Sequence, residues 1–84
     1  MPDTLRNLGP KSKEMLRGSG ICSVEQLREL GAVRAFVQVR RNDPRASLNL
    51  LWALEGALTN RPWQEVARQD RLSLLLQVED LERE

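Results

Sequence analysis

Histidine and tyrosine are absent from this chain of 84 residues, and Cys22 is its single cysteine. Without an imidazole there is no zinc site of the usual kind and no serine–histidine or cysteine–histidine nucleophile, and one thiol cannot close a disulfide within the chain. A non-enzymatic protein with no cofactor and no metal is the expectation. Aromatic side chains are confined to Phe36, Trp52 and Trp63. No apolar run approaches the roughly 20 residues that a membrane-spanning helix needs. The opening MPDTLRNLGP also lacks the apolar stretch of a secretory leader, so a cytoplasmic protein without membrane association is expected. Neither sign of charge dominates, since 13 Lys and Arg face 12 Asp and Glu for a formal +1, far from the strong positive balance that by itself signals nucleic acid.

What is present is leucine, charge and regularly spaced punctuation. Hydrophobic residues make up 40% and charged residues 30% of the chain, a globular composition. A domain of this length buries only about 60 to 70% of its unfolded surface, so residues 1–84 are read as one domain with one core. Charge is distributed unevenly along it. Residues 1–71 carry a net +4, whereas residues 72–84 set Arg83 against Glu79, Asp80, Glu82 and Glu84.

The punctuation divides the chain into about five short helices, an all-α bundle. Thr4 to Leu8 reads as one opening turn before Gly9. Pro10 then stands at a first helical position, where its fixed φ and missing N–H cost nothing, and a helix runs to about Arg17 before Gly18 and Gly20 stop it. Ser23 and Gln26 form a capping box, with Cys22 and Leu27 placed as a hydrophobic staple and Cys22 expected to be buried. Gly31 ends that helix after Leu30. Ala32 to Arg41 carries Val33, Phe36 and Val37 at helical spacing, but Val33, Ala35, Val37 and Val39 also alternate as a strand would. Helix is favoured because no second strand is visible to pair with it. Asn42 to Ala46 reads as a loop, and Ser47 is placed to cap the central helix to Thr59. On that helix Leu50, Leu51, Ala53, Leu54, Ala57 and Leu58 form a broad apolar arc. Asn60 to Pro62 makes a turn into a last amphipathic stretch from Trp63 to about Leu81. The apolar stripe of this stretch changes face near Asp70, which predicts a kink or break at residues 69–72 with Asp70 as a new cap.

Gly9-Pro10-Lys11-Ser12, then Met15-Leu16, Gly20-Ile21 and Val24-Glu25-Gln26-Leu27, resemble a helix-hairpin-helix module of the SAM-like type. Leu30-Gly31-Ala32-Val33, Arg40, Ser47 through Leu58, Trp63 and Arg71 look like the C-terminal domain of the TfoX/Sxy family, regulators of competence and natural transformation. The resemblance covers nearly the whole chain. It implies a regulatory module that acts with the cyclic-AMP receptor protein at promoters of DNA-uptake genes. Members carry a separate N-terminal domain, which is expected to be absent here. The implied partners are a transcription-regulatory protein or a separately encoded TfoX N-terminal-like domain. The resemblance also implies a grip on the DNA backbone.

A helix N-terminus presents amide donors to phosphate without reading sequence. The candidates here are Gly9 and the amides of Lys11, Ser12 and Lys13, with both lysine side chains and Arg17 nearby. The plain alternative is a Gly-Pro helix start with solvated lysines, favoured by Asn7 standing where a DNA-binding hairpin has its first glycine. Arg34, Arg40, Arg41, Arg45 and Arg61 form a second basic surface if the fold brings them together. Glu55 interrupts an apolar helix and requires an arginine or backbone partner. Trp52 and Trp63 are core or rim aromatics, or partner-facing anchors. Gly56 suggests a close helix approach. Leu72, Leu75 and Leu76 lie opposite Leu74, Val78 and Leu81. They either enter the core through the kink near Asp70 or meet a partner, most simply a second copy. The alternative function is a protein-interaction or dimerisation module without a nucleic-acid role.

Overall fold

The computed structural model describes residues 8–83. Five helices follow one another in chain order: α1 (Pro10–Gly18), α2 (Val24–Asn42), α3 (Leu48–Thr59), α4 (Trp63–Gln69) and α5 (Arg71–Glu82). The described residues contain no strand. The opening turn expected over residues 4–8 lies, apart from Leu8, outside the described residues, as does Asn7.

The local chemistry explains each boundary. At the end of α1 the Ile21 N–H donates to the Leu16 carbonyl (2.9 Å) and the Gly20 N–H to that of Arg17 (3.0 Å). Gly20 takes the positive φ of 88° that this reversal needs, and Leu16 and Ile21 close the motif as buried neighbours. Two side chains from α2 complete the cap, with Gln38 Nε2 donating to the Ser19 carbonyl (2.6 Å) and Asn42 Nδ2 to that of Gly18 (3.0 Å). At the start of α2 the serine half of the capping box is made, while the glutamine reaches one residue past the N-cap. Ser23 Oγ accepts from the Gln26 N–H (3.1 Å), and Gln26 Oε1 accepts from the Cys22 N–H (2.7 Å). The staple is not made, because the Cys22 side chain is exposed and Ile21, one residue earlier, takes the place in the core.

Helix α2 is two segments joined at Gly31, whose φ of 81° and ψ of 164° are not helical. The second segment buries Ala32, Ala35, Phe36 and Val39 on one face, with Val37 beside them. That is the 3.6-residue spacing, and it settles the strand alternative in favour of helix. Val33, assigned to the apolar face by pattern, is only half-buried.

Helix α3 forms the centre, packed by α2 on one side and by α4 on the other. Its residues Leu50, Leu51, Trp52, Ala53, Leu54, Gly56 and Ala57 are all buried. Trp52 and Gly56, outside the broad apolar arc, are therefore covered as well, while Asn49 stays exposed. Val66 of α4 is fully buried, and Leu74 and Val78 of α5 complete the core. The predicted break falls at Asp70, between α4 and α5. Neither Ser47 nor Asp70 caps with its side chain. Backbone carbonyls do that work, Ser47 accepting from Leu50 (2.9 Å) and Asp70 from Leu74 (3.0 Å).

The loop between α2 and α3 is fixed by one residue pair. Asp43 accepts from the Arg45 backbone N–H and Nε (both 3.0 Å) and from Arg45 Nη2 (2.9 Å). These bonds, the side-chain ones first, hold the Asp43 carboxyl below its ordinary range. A carboxylate with a lowered folded pKa stabilises the fold fully above its unfolded value of about 3.9 and loses that contribution as pH falls through the folded value. Asp43→Asn should therefore lower the urea midpoint at neutral pH, and the gap between parent and variant should close below about pH 4. A gap unchanged down to acid pH would show that the carboxylate charge is irrelevant to this loop.

Candidate nucleic-acid interface

At the tip of α1, Gly9 is the N-cap in extended backbone, with φ −89° and ψ −177°. The Lys13 N–H already donates to the Gly9 carbonyl (3.1 Å), and Pro10 has no N–H. Of the three amides expected to face an anion, those of Lys11 and Ser12 remain as first-turn donors without an intrahelical acceptor. Gly9 has no positive φ, and among the described residues a Cβ there would meet nothing within 4 Å. Serine at an N-cap would stabilise the helix better than glycine. Helix stability alone thus gives no reason for a glycine here, whereas close approach of a bulky anion would.

The five expected residues are not on one side of the helix. Lys11 and Ser12 line a groove shared with Met15, Ser47, Asn49 and Trp63. Lys13 and Arg17 line a separate hollow on the other flank, over Leu16, Ile21 and the start of α2. Gly9 stands at the tip between them. The first groove adds what the sequence did not associate with the site. It brings the N-terminus of α3, at Ser47, beside that of α1, and it includes Trp63, which is 38% exposed. The Ser47 signal was legible only as a helix start, because nothing local records which other helix start lies next to it.

The second basic surface does not form as a unit. Arg45 is bound to Asp43, and Arg40 lies over the Phe36 ring (5.7 Å to its centroid) within 3.9 Å of Glu82. Arg61 is directed inward. Asn60 takes a left-handed turn (φ 57°) after α3, and the Arg61 guanidinium behind it reaches Asp70, Glu65 (3.6 Å) and Glu55 (3.8 Å). Its pKa is raised, chiefly by the hydrogen bond to Asp70. One arginine thereby ties α3, α4 and the α4–α5 break together. It answers the requirement of Glu55 for a partner, and it explains why the Asp70 carboxylate does not cap α5.

The second leucine stripe is divided. The chain breaks at Asp70 and Leu75 packs against the core, while Leu72 and Leu76 stay outside at 71% and 53% exposure. Two leucines make a small patch compared with the roughly 800 Å² per partner of a stable interface. Among the described residues no helix is long and apolar enough to cross a membrane, and no group of acidic or cysteine side chains is arranged to hold a metal.

Comparison with known proteins follows the same outline. A family model described as the TfoX C-terminal domain matches residues 3–78. The DNA transformation protein TfoX of Haemophilus influenzae is 32% identical over 77 residues, an alignment that takes in 92% of this chain and 36% of that protein. No solved structure matches the chain.

Proposed function

The chain belongs to the TfoX C-terminal domain family, and on that premise we propose that it is a small, non-enzymatic regulatory module serving DNA transformation. It works through protein contacts and through weak, sequence-independent contact with the DNA backbone at the tip of α1. Its protein partner is a transcription regulator. The name of the Haemophilus relative supports the process. The observation that carries the DNA contact is Gly9, a glycine at an unstrained N-cap with no described neighbour within reach of a Cβ, beside two amides without an intrahelical acceptor and flanked by Lys11 and Lys13.

Such a contact involves few phosphates. Binding of a labelled duplex, followed by anisotropy, should show a log–log salt slope of only about −2 to −3. Lys11→Glu with Lys13→Glu should abolish the binding seen at low salt and leave the circular dichroism spectrum unchanged. Gly9→Ser separates site from fold. It should hold or raise stability, because serine is the better N-cap, while weakening DNA binding through the added side chain. Undiminished binding by the lysine variant would remove α1 from consideration. No binding by the parent at any salt would leave the protein-contact role alone.

A further inference from the structure

The groove between α2 and the end of α5 is built differently from the α1 tip. Leu30 and Leu81 line it on the apolar side beside the polar Gln38 and Asn42, and its α2 rim carries Arg34 and Arg41. These two arginines lie two helical turns apart, about 10 Å along the axis, and both are exposed. Neither forms an ion pair with a described acidic side chain, although Arg40 beside them is matched by Glu82. Asp80 shares the adjoining hollow with Arg34 without closing to ion-pair distance. At the α1 end of the groove the Ser19 hydroxyl is buried without a hydrogen-bond partner.

We propose that this groove is a docking site for an acidic segment of a partner protein, one that places an apolar side chain against Leu30 and Leu81 between two carboxylates about 10 Å apart. The charges and the apolar side point to the same occupant. Two uncompensated arginines attract an anionic ligand, and Leu30 and Leu81 beside them give a seat to an apolar side chain, which a phosphate backbone does not carry. A peptide with carboxylates toward α2 and a leucine-like residue between them satisfies both halves of the groove. The proposal rests on the reading of the chain as a protein-binding module and is independent of the DNA contact at α1.

The probe is a fluorescein-labelled, alanine-based helical peptide with two glutamates seven residues apart and a leucine midway. Its companions carry glutamine for glutamate, or alanine for leucine. The parent should bind the glutamate peptide, and each companion should bind at least several-fold more weakly. Arg34→Glu with Arg41→Glu, on an exposed helix face, should weaken binding by about tenfold or more without changing the circular dichroism spectrum. Lys11→Glu with Lys13→Glu should bind the peptide as the parent does. Equal binding of the glutamate and glutamine peptides would overturn the proposal. So would duplex DNA that displaces the peptide and itself loses affinity in the Arg34/Arg41 variant, because the groove would then belong to nucleic acid. Peptide binding indifferent to Arg34 and Arg41 would remove the groove and leave the protein-binding module standing. No binding up to about 1 mM peptide would count against both.

Discussion

Leu54→Ala should destabilise the domain by about 2 to 5 kcal/mol, the range for a buried leucine whose removal leaves a cavity. Leu54 is fully buried on α3, the helix packed by α2 on one side and α4 on the other, and Leu51 and Phe36 are equally inaccessible. Neighbours held on two sides collapse poorly into the space, which favours the upper part of the range. A domain of this size has a total stability of only about 4 to 13 kcal/mol, and each kcal/mol moves its midpoint by about 4 to 8 °C. Thermal unfolding should therefore show a fall of at least about 10 °C. Asn49→Ala, on the exposed face of the same helix, should stay within about 0.5 kcal/mol of the parent. Equal losses at the two positions would show that the buried face of α3 is misplaced.

The contrast between these two residues was readable from the periodicity of α3, and most element boundaries were readable from their punctuation. The Gly18-Ser19-Gly20 stop, the Ser23–Gln26 box, Gly31, the Asn60 turn and the break at Asp70 are local devices, and they act locally. The sequence failed where a second partner decides the outcome. Trp52 and Gly56 lie outside the broad apolar arc of the wheel, and only the packing of the central helix from more than one direction accounts for their burial. A single helix pattern records one apolar face and cannot count the neighbours. Asp70 reads as a cap, and its carboxylate goes instead to Arg61, nine residues back.

The candidate site shows the same division. Lys11 and Lys13 are two residues apart and so stand about 200° apart on the helix, which the 3.6-residue period dictates without any structure. The approach of Ser47 and Trp63 to Lys11 depends on how α3 and α4 pack, and no local signal encodes it. Arg34 and Arg41 share a face by their spacing of seven, but their lack of acidic partners appears only once Glu82 is seen to reach Arg40 and not them.

Gly31→Ala should cost about 1 to 3 kcal/mol, and the cause should lie wholly in the backbone. With φ 81° and ψ 164°, Gly31 occupies a region essentially reserved for glycine. A Cβ at this position would meet nothing within 4 Å, so no clash with a neighbour contributes. Relief of the strain requires the backbone to leave this conformation, which changes the angle between the two segments of α2. The first segment carries Leu27 into the core, whereas the second carries Ala32, Ala35, Phe36 and Val39 and holds the end of α1 through Gln38 and Asn42. The variant must either keep the angle and bear the strain or lose packing on one side. Gly9 provides the control, because its φ of −89° is open to any residue, and Gly9→Ser should not reduce stability. Urea unfolding of both variants distinguishes the positions. A Gly31→Ala variant as stable as the parent would mean that α2 passes through residue 31 without the left-handed break, and the placement of α1 against the core would have to be redrawn.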